Sequence, residues 1–344
     1  MPSVTTDFDT RATRLQVDTL RKHRGFTLVE VLVVVGIVAL VMTFSLPAIQ
    51  SAREDARRIE CKSRLKQIGL ALQNYHGVHK VFPYASTSSY PLEDRITSIK
   101  HTWTEFLLPY LNEGLLYNHI DFSESNDAGN NREVLEGILI PAYACPASPF
   151  AYGRKTINGT DFHDWAANWN GISSGPMQGL AYPLCAGSIL PDFVPPDCKA
   201  GANSFCASEQ VTPNNESRWW HPHRVKSPGV YNRGVTSTCL KDVLDGASQT
   251  IAAGERNAEE CCLGGIFAGN APVFFTGQKI NSPTRTRNPL NYFRNCGGSS
   301  HHEGGAQFLF VDGNVRFLND KIDFETYCYL GDKDDGHKVA APDE

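Results

Sequence analysis

Histidines and carboxylates that stand close together are the first residues able to do chemistry in this chain. His301, His302 and Glu303 form one such group, near the C-terminus. Two imidazoles beside a carboxylate could ligate a metal, but the same residues serve equally as a surface histidine or one bonded to a loop carbonyl. The second reading is preferred, and no metal or other cofactor is expected. His221 and His223, in "WWHPHR", have no companion ligands at zinc-site spacing. In "GDKDDGHK" a calcium loop with Gly336 in its sixth place would put Gly331 and Lys333 at ligand positions, so the EF-hand pattern fails. Asp332, Asp334 and Asp335 therefore read as a solvated turn. Cys198 and Cys206 could close a short loop, whereas the adjacent Cys261 and Cys262 suit more distant partners. Asn158 and Asn215 open glycosylation triplets in form only. No Gly-x-Ser-x-Gly elbow, phosphate loop or His-Glu-x-x-His occurs, so the chain is not read as an enzyme.

One further chemical group is conspicuous by its place. Glu30 stands inside the apolar run from Phe26 to Leu46, behind Arg21, Lys22 and Arg24. A helix of that length spans roughly 32 Å, close to the hydrocarbon thickness of a bilayer. The basic flank places the N-terminus in the cytoplasm and the rest of the chain across the membrane. A carboxylate there costs on the order of 2.5–3.5 kcal/mol at mid-membrane and less near a helix end, so it needs a reason.

The elements that would position these groups follow from periodicity. Ile49, Ala52, Ala56 and Ile59 recur at helical spacing, as do Cys61, Leu65, Ile68, Leu72 and Tyr75. With Gly77 as a C-terminal stop, residues 26–76 form one helix, roughly 76 Å long if unbroken. Its exposed half buries one stripe and leaves Arg53, Glu54, Arg57 and Arg58 wet. "AQFLFVDGNVRFL" reads as a hairpin about a two-residue type I′ turn at Asp312-Gly313. That register pairs Phe310 with Val315 and Phe308 with Phe317, and turns Gln307, Asn314 and Arg316 to the other side. "GGIFAG" and "APVFFTG" read as strands, and the loop-rich stretch from about Leu184 to Val235 as a surface elaboration. The expected fold is α+β: a long N-terminal helix packed on a mainly antiparallel sheet with insertions.

Composition sets the bounds. The 344 residues are 41% hydrophobic and 20% charged, ordinary for a globular chain, and the net charge of −5 gives no footprint for nucleic acid. All ten cysteines follow the apolar run, which fits a domain exported to an oxidising compartment.

Two resemblances join these observations. "RGFTLVEV" resembles the type IV prepilin signature. The resemblance implies cleavage after Gly25, methylation of the new N-terminal residue Phe26, and an assembly role for Phe26 and Glu30, the glutamate answering the N-terminal charge of a neighbouring subunit. Pro47 falls where pilins of this class carry a helix-bending proline. The rest of the chain resembles a planctomycete-type pseudopilin-like family whose detailed role is undefined. The matching residues are "CKSRLKQIGLALQNYHGVHKVFP", "YACPAS" around Cys145, "DGASQTIAAGER" from Asp245 to Arg256, and His302, nine residues, then Asp312-Gly313. The resemblances imply a leader over 1–25, a transmembrane half-helix over 26–46, an exposed half-helix over 47–76 and a globular domain over 77–344. They imply a structural pseudopilin subunit of a type II secretion or type IV pilus-like filament, with a prepilin peptidase/methyltransferase, other pseudopilin subunits and the membrane as partners. Its place would be the inner membrane, single-pass, with the domain periplasmic or in a surface filament. The alternative is a membrane-tethered envelope binding protein, for which Trp165, Trp169, Trp219 and Trp220 could build a ligand or carbohydrate site.

Overall fold

A computed structural model of the chain describes residues 27–87, 101–126, 129–148, 156–157, 160–161, 178–188, 228–231, 237–257, 265–267, 273–282, 297–337 and 339. The chain forms two compact units, Met1–Ala52 and Arg53–Glu344. Helix α1 (Leu28–His79) starts in the first and ends in the second.

In the first unit, α1 begins with a capping box. Thr27 donates from its backbone N and from Oγ1 to Glu30 Oε2 (2.8 and 2.9 Å), and Glu30 N donates to Thr27 Oγ1 (3.2 Å). Two free donors of the helix start are thus satisfied reciprocally. Leu28, Val31, Val34, Val38, Val41 and their neighbours are exposed all round, as in a helix meant for lipid. The helical assignment continues through Pro47.

In the second unit the stripe Cys61, Leu65, Ile68 and Leu72 is buried, with Tyr75 packed beside it. The expected earlier stripe is not: Ile49, Ala52, Ala56 and Ile59 are exposed. Nor does Gly77 stop the helix. α1 runs to His79, and the turn out falls on Lys80, at φ 64°, whose Nζ donates to the Gly77 carbonyl (2.7 Å). A lysine that caps a final-turn carbonyl supplies the C-terminal cation a helix favours.

The remaining described elements are α2 (Trp103–Phe106), α3 (Gly114–His119), α4 (Gly129–Leu135), β1 (Thr156–Ile157), β2 (Thr160–Asp161), β3 (Leu184–Cys185), β4 (Ile251–Gly254), β5 (Val273–Phe274), β6 (Gly305–Phe310), β7 (Val315–Asn319) and α5 (Phe324–Gly331). β1 and β2 pair with each other, and the other five strands form a sheet in the order β5-β3-β4-β6-β7. All its pairs are antiparallel except β3 with β5. The architecture is α+β, as the periodicity implies, with an N-terminal helix packed on a mostly antiparallel sheet domain.

Every residue of β6 is buried. Leu309 and Val315 belong to the cluster formed with the α1 stripe, while Ala306, Phe308, Phe310 and Leu318 pack with Tyr327 and Leu330 of α5. The strand is therefore covered on both faces, which is why "AQFLF" reads as a near-continuous apolar run. At Gly69 of α1 a Cβ would lie 2.7 Å from Leu309 Cδ1, so the helix comes closest to the sheet where it has no side chain.

The hairpin register differs from the expected one by one residue. Leu309 pairs with Val315, Phe308 with Arg316 and Gln307 with Phe317. Asp312 does not have positive φ, whereas Gly313 does, at 89°. Gly313 N donates to the Phe310 carbonyl (2.9 Å) and Phe310 N to the Asn314 carbonyl (2.8 Å). This is a three-residue loop with a glycine bulge rather than a type I′ turn. The Asp312 carboxylate fixes it by accepting from Asn314 N (2.9 Å) and Nδ2 (2.7 Å). The extra residue moves Gln307 to the Phe317 face and puts Arg316 over the Phe310 ring, 4.7 Å from its centroid.

Two further expectations change. In "GGIFAG" the described residues give an isolated bridge at Gly265 and a turn, not a strand. The stretch from Leu184 begins with core: β3 is buried between β4 and β5, and Val230 and Tyr231 are buried as well.

Candidate functional site

Of the residues singled out above, the structure brings Cys145 and His302 together. His302 follows Ser300, whose hydroxyl accepts from His302 N (2.9 Å) and turns the ring inward just before β6. The side chain is buried, unlike the surface histidine expected from the sequence. Its Nδ1 lies 2.6 Å from Glu54 Oε1 and its Nε2 3.4 Å from Glu255 Oε1. Both ring nitrogens thus face carboxylate oxygens, which favour the protonated ring. Burial opposes the imidazolium, but the hydrogen bonds and charges of Glu255 and Glu54 outweigh it and raise the His302 pKa. Burial likewise works against the Glu54 anion, yet His302 and Arg57 hold its carboxyl below the ordinary range.

Each partner is fixed in its turn. Glu255 directly follows β4, and its Oε2 accepts from Gln307 N of the neighbouring strand (2.7 Å). Arg57 donates to Glu54 Oε2 from Nη2 (2.7 Å) and Nε (3.0 Å). Cys145 follows a 3-10 turn at Pro141–Tyr143 and is paired with Cys61 of α1, with Cα atoms 5.5 Å apart, inside the usual span for a cysteine bridge. Arg64 holds that loop to α1 by donating to the carbonyls of Pro141 and of Ala144 (2.9 Å to the latter). Cys145 Sγ is 4.0 Å from His302 Nε2 and 3.9 Å from Glu255 Oε1. Helix, loop and two strands thus converge on one buried cluster of sulfur, imidazole and carboxylate.

The sequence reading missed Glu54 and never placed Glu255 at a site. Glu54, Arg58, Cys61, Leu65, Ile68 and Leu72 step by 4, 3, 4, 3 and 4, so the buried stripe of α1 continues backward through a carboxylate and a guanidinium. Arg58 lies over the Phe317 ring at 4.5 Å and donates to the Glu303 carbonyl. Periodicity extended through polar residues would have found both, and the expectation that Glu54 and Arg58 are wet is corrected. Glu303 itself is exposed, as is His301, and neither joins the cluster.

The acidic turn is also corrected at Asp332 and at Asp335, whose side chain is only 9% exposed. Asp332 is buried, accepting from Ser188 N and Oγ (both 2.8 Å), and burial pushes its carboxyl up to about 7. Asp334 remains exposed. Cys185 and Cys328 are buried thiols whose pKa values burial raises, which leaves them poorly reactive. Gly25, Phe26, Asn158, Trp165, Trp169, Cys198, Cys206, Asn215, Trp219, Trp220, His221, His223, Cys261 and Cys262 lie outside the described residues.

Comparison with known proteins adds two findings. Residues 20–46 match the prokaryotic N-terminal methylation motif. Residues 50–262 and 274–325 match the model described as "Protein of unknown function (DUF1559)". No curated protein and no solved structure matches the chain. The motif marks a prepilin-type subunit anchored by one N-terminal apolar helix. With the second model spanning more than half of its length, the chain belongs to the DUF1559 family of pseudopilin-like proteins that carry a prepilin signal.

Proposed function

We propose that the chain is a structural pseudopilin of a type II secretion or type IV pilus-like filament. The observation that carries the reading is the union of the methylation motif over 20–46 with a helix whose apolar half is wholly exposed and bears one carboxylate, Glu30. An apolar helix left exposed among the described residues suits lipid first and neighbouring copies of the same helix after assembly. Cleavage after Gly25 leaves a methylated amine at Phe26, close in sequence to Glu30, and the carboxylate then meets the amine of the next subunit.

In this reading the subunit sits in the inner membrane with a cytoplasmic N-terminus, and its domain lies on the far side. There the Cys61–Cys145 bridge can form, tying α1 to the loop before the sheet across 84 residues of chain. Mass spectrometry of the purified protein tests the reading at its root. The expected N-terminus is methylated Phe26. A terminus near Ala48 or Ala52 would mean an ordinary secretory signal and no filament subunit.

A further inference from the structure

The buried cluster offers more than a cysteine bridge. One ligand atom each from Cys61, Cys145, Glu255 and His302 lies within 4.8 Å of all the others, and all four residues are buried. Two features are those of a built metal centre rather than a chance meeting. The first is geometry. Tetrahedral zinc, with ligands at about 2.0–2.3 Å, sets ligand atoms about 3.3–3.8 Å apart. Here His302 Nε2 to Glu255 Oε1 is 3.4 Å, Cys145 Sγ to Glu255 Oε1 is 3.9 Å and Cys145 Sγ to His302 Nε2 is 4.0 Å. The bonded sulfur pair must open to contact distance.

The second feature is the surround. His302 gives its far nitrogen, Nδ1, to Glu54 Oε1 at 2.6 Å, the carboxylate–histidine contact that orients an imidazole toward a metal. Glu255 keeps Oε1 toward the cluster while Oε2 is held by Gln307 N. An acidic and imidazole pair beside a bridge that served only to cross-link the fold would need no such aim.

The geometry points to a zinc-class divalent ion site formed by Cys61, Cys145, Glu255 and His302 when the two cysteines are reduced. Reduction is by a dithiol: its two thiols become a disulfide, and the Cys61–Cys145 bond takes up the two electrons and two protons to give two thiols. Binding then displaces both thiol protons and the proton on His302 Nε2, so the ion meets two thiolates, a carboxylate and a neutral imidazole. Thiolate with imidazole selects zinc over hard cations such as magnesium or calcium. The site departs from the sequence expectation of no metal, because Glu54 and Glu255 were not seen as its supports. It stands independently of filament assembly.

The test uses the full chain in detergent under anaerobic conditions, with cobalt(II) as the probe. The reduced protein is expected to bind one cobalt per chain, with thiolate charge-transfer and tetrahedral ligand-field bands that one equivalent of zinc removes. The oxidised protein is expected to show neither band. Cys61→Ser with Cys145→Ser should abolish the bands although eight of the ten cysteines remain. Glu54→Gln should weaken zinc binding about 10–100-fold while leaving the bands in place. Bands that survive in the double serine variant overturn the proposal, as does a folded reduced chain that binds no cobalt. Loss of fold on reduction that cobalt and zinc do not restore, followed by circular dichroism, overturns it as well.

Discussion

His302 and Glu54 are 248 positions apart and share a 2.6 Å contact. The histidine side chain is wholly buried and the glutamate side chain is 25% exposed. The contact joins the first described turn of α1 in the domain unit to the residue that leads into β6, so helix and sheet are fastened by a charged pair as well as by apolar packing.

Removing one side of that pair leaves a buried donor. Glu54→Ala should cost about 1–3 kcal/mol, whereas Glu54→Gln keeps an acceptor and should cost less. Urea unfolding of the two variants beside the parent measures the difference. Equal stability of Glu54→Ala and the parent would mean that the pair holds nothing.

A second buried histidine predicts a pH dependence. His101 Nδ1 lies 2.5 Å from Glu105 Oε2 and Nε2 lies 2.9 Å from the Glu124 carbonyl, so both nitrogens face acceptors. Burial disfavours the charge, but Glu105, then the Glu124 carbonyl and Asp121, raise the pKa above its unfolded value of about 6.5. The stability this contributes is complete below that value and is lost as pH rises through the higher folded value. The melting temperature of the parent should therefore fall as pH rises above about 6.5. In His101→Gln the fall should be smaller, on a baseline lowered by about 3 kcal/mol or more because Glu105 loses its partner. An identical pH slope in the two proteins would remove His101 from the account.

Gly313 isolates a backbone effect. No atom lies within 4 Å of where its Cβ would be, yet φ is 89°. Gly313→Val should lower stability by about 1 kcal/mol or more through conformation alone. Gly313→Asn should lose less, because asparagine tolerates that region. If valine and asparagine melt alike, the strain argument fails.

Glu30 has two explanations that one variant separates. As a helix cap it completes a box with Thr27, and glutamine fills that place as glutamate does. As a docking charge it needs its negative form. Glu30→Gln should therefore insert, be processed and stay helical, yet lose most of its incorporation into a sheared or crosslinked polymer fraction. Glu30→Leu should lose the cap and the assembly together. If Glu30→Gln assembles like the parent, the residue is a cap and nothing more.

Much of this was legible along the chain because it is local. Glu30 stands out against an apolar run, Cys61, Leu65, Ile68 and Leu72 declare their face by spacing, and Asp312-Gly313 announces a turn. The turn's type was not legible. Asp-Gly fits a two-residue loop and a three-residue loop with a bulge equally well, and what decides is that β6 must present Leu309 to α1 and Phe308 to α5 at once. The cluster was harder still. His302, Glu255, Cys145 and Glu54 sit on four separate stretches, and only the packing of α1 on β4 and β6 makes them neighbours. Glu54 and Arg58 read as wet residues because charge usually marks the solvent side of a helix. A partner of opposite charge across the interface reverses that rule.

The burial of β6 on both faces also governs how the protein is made. Gly69 of α1 awaits Leu309, which leaves the ribosome 240 residues later (309 − 69). Contacts so distant close late, after most of the loop entropy has been spent. Until β6 arrives, the stripe from Cys61 to Leu72 lacks the Leu309 and Val315 that complete its cluster, although the anchor ahead of it can already be in the bilayer. A chain cut short before Gly305 is then membrane-bound with an open apolar seam. Such fragments should be sticky and quickly degraded, so quality control of this protein falls on the residues from Gly305 onward.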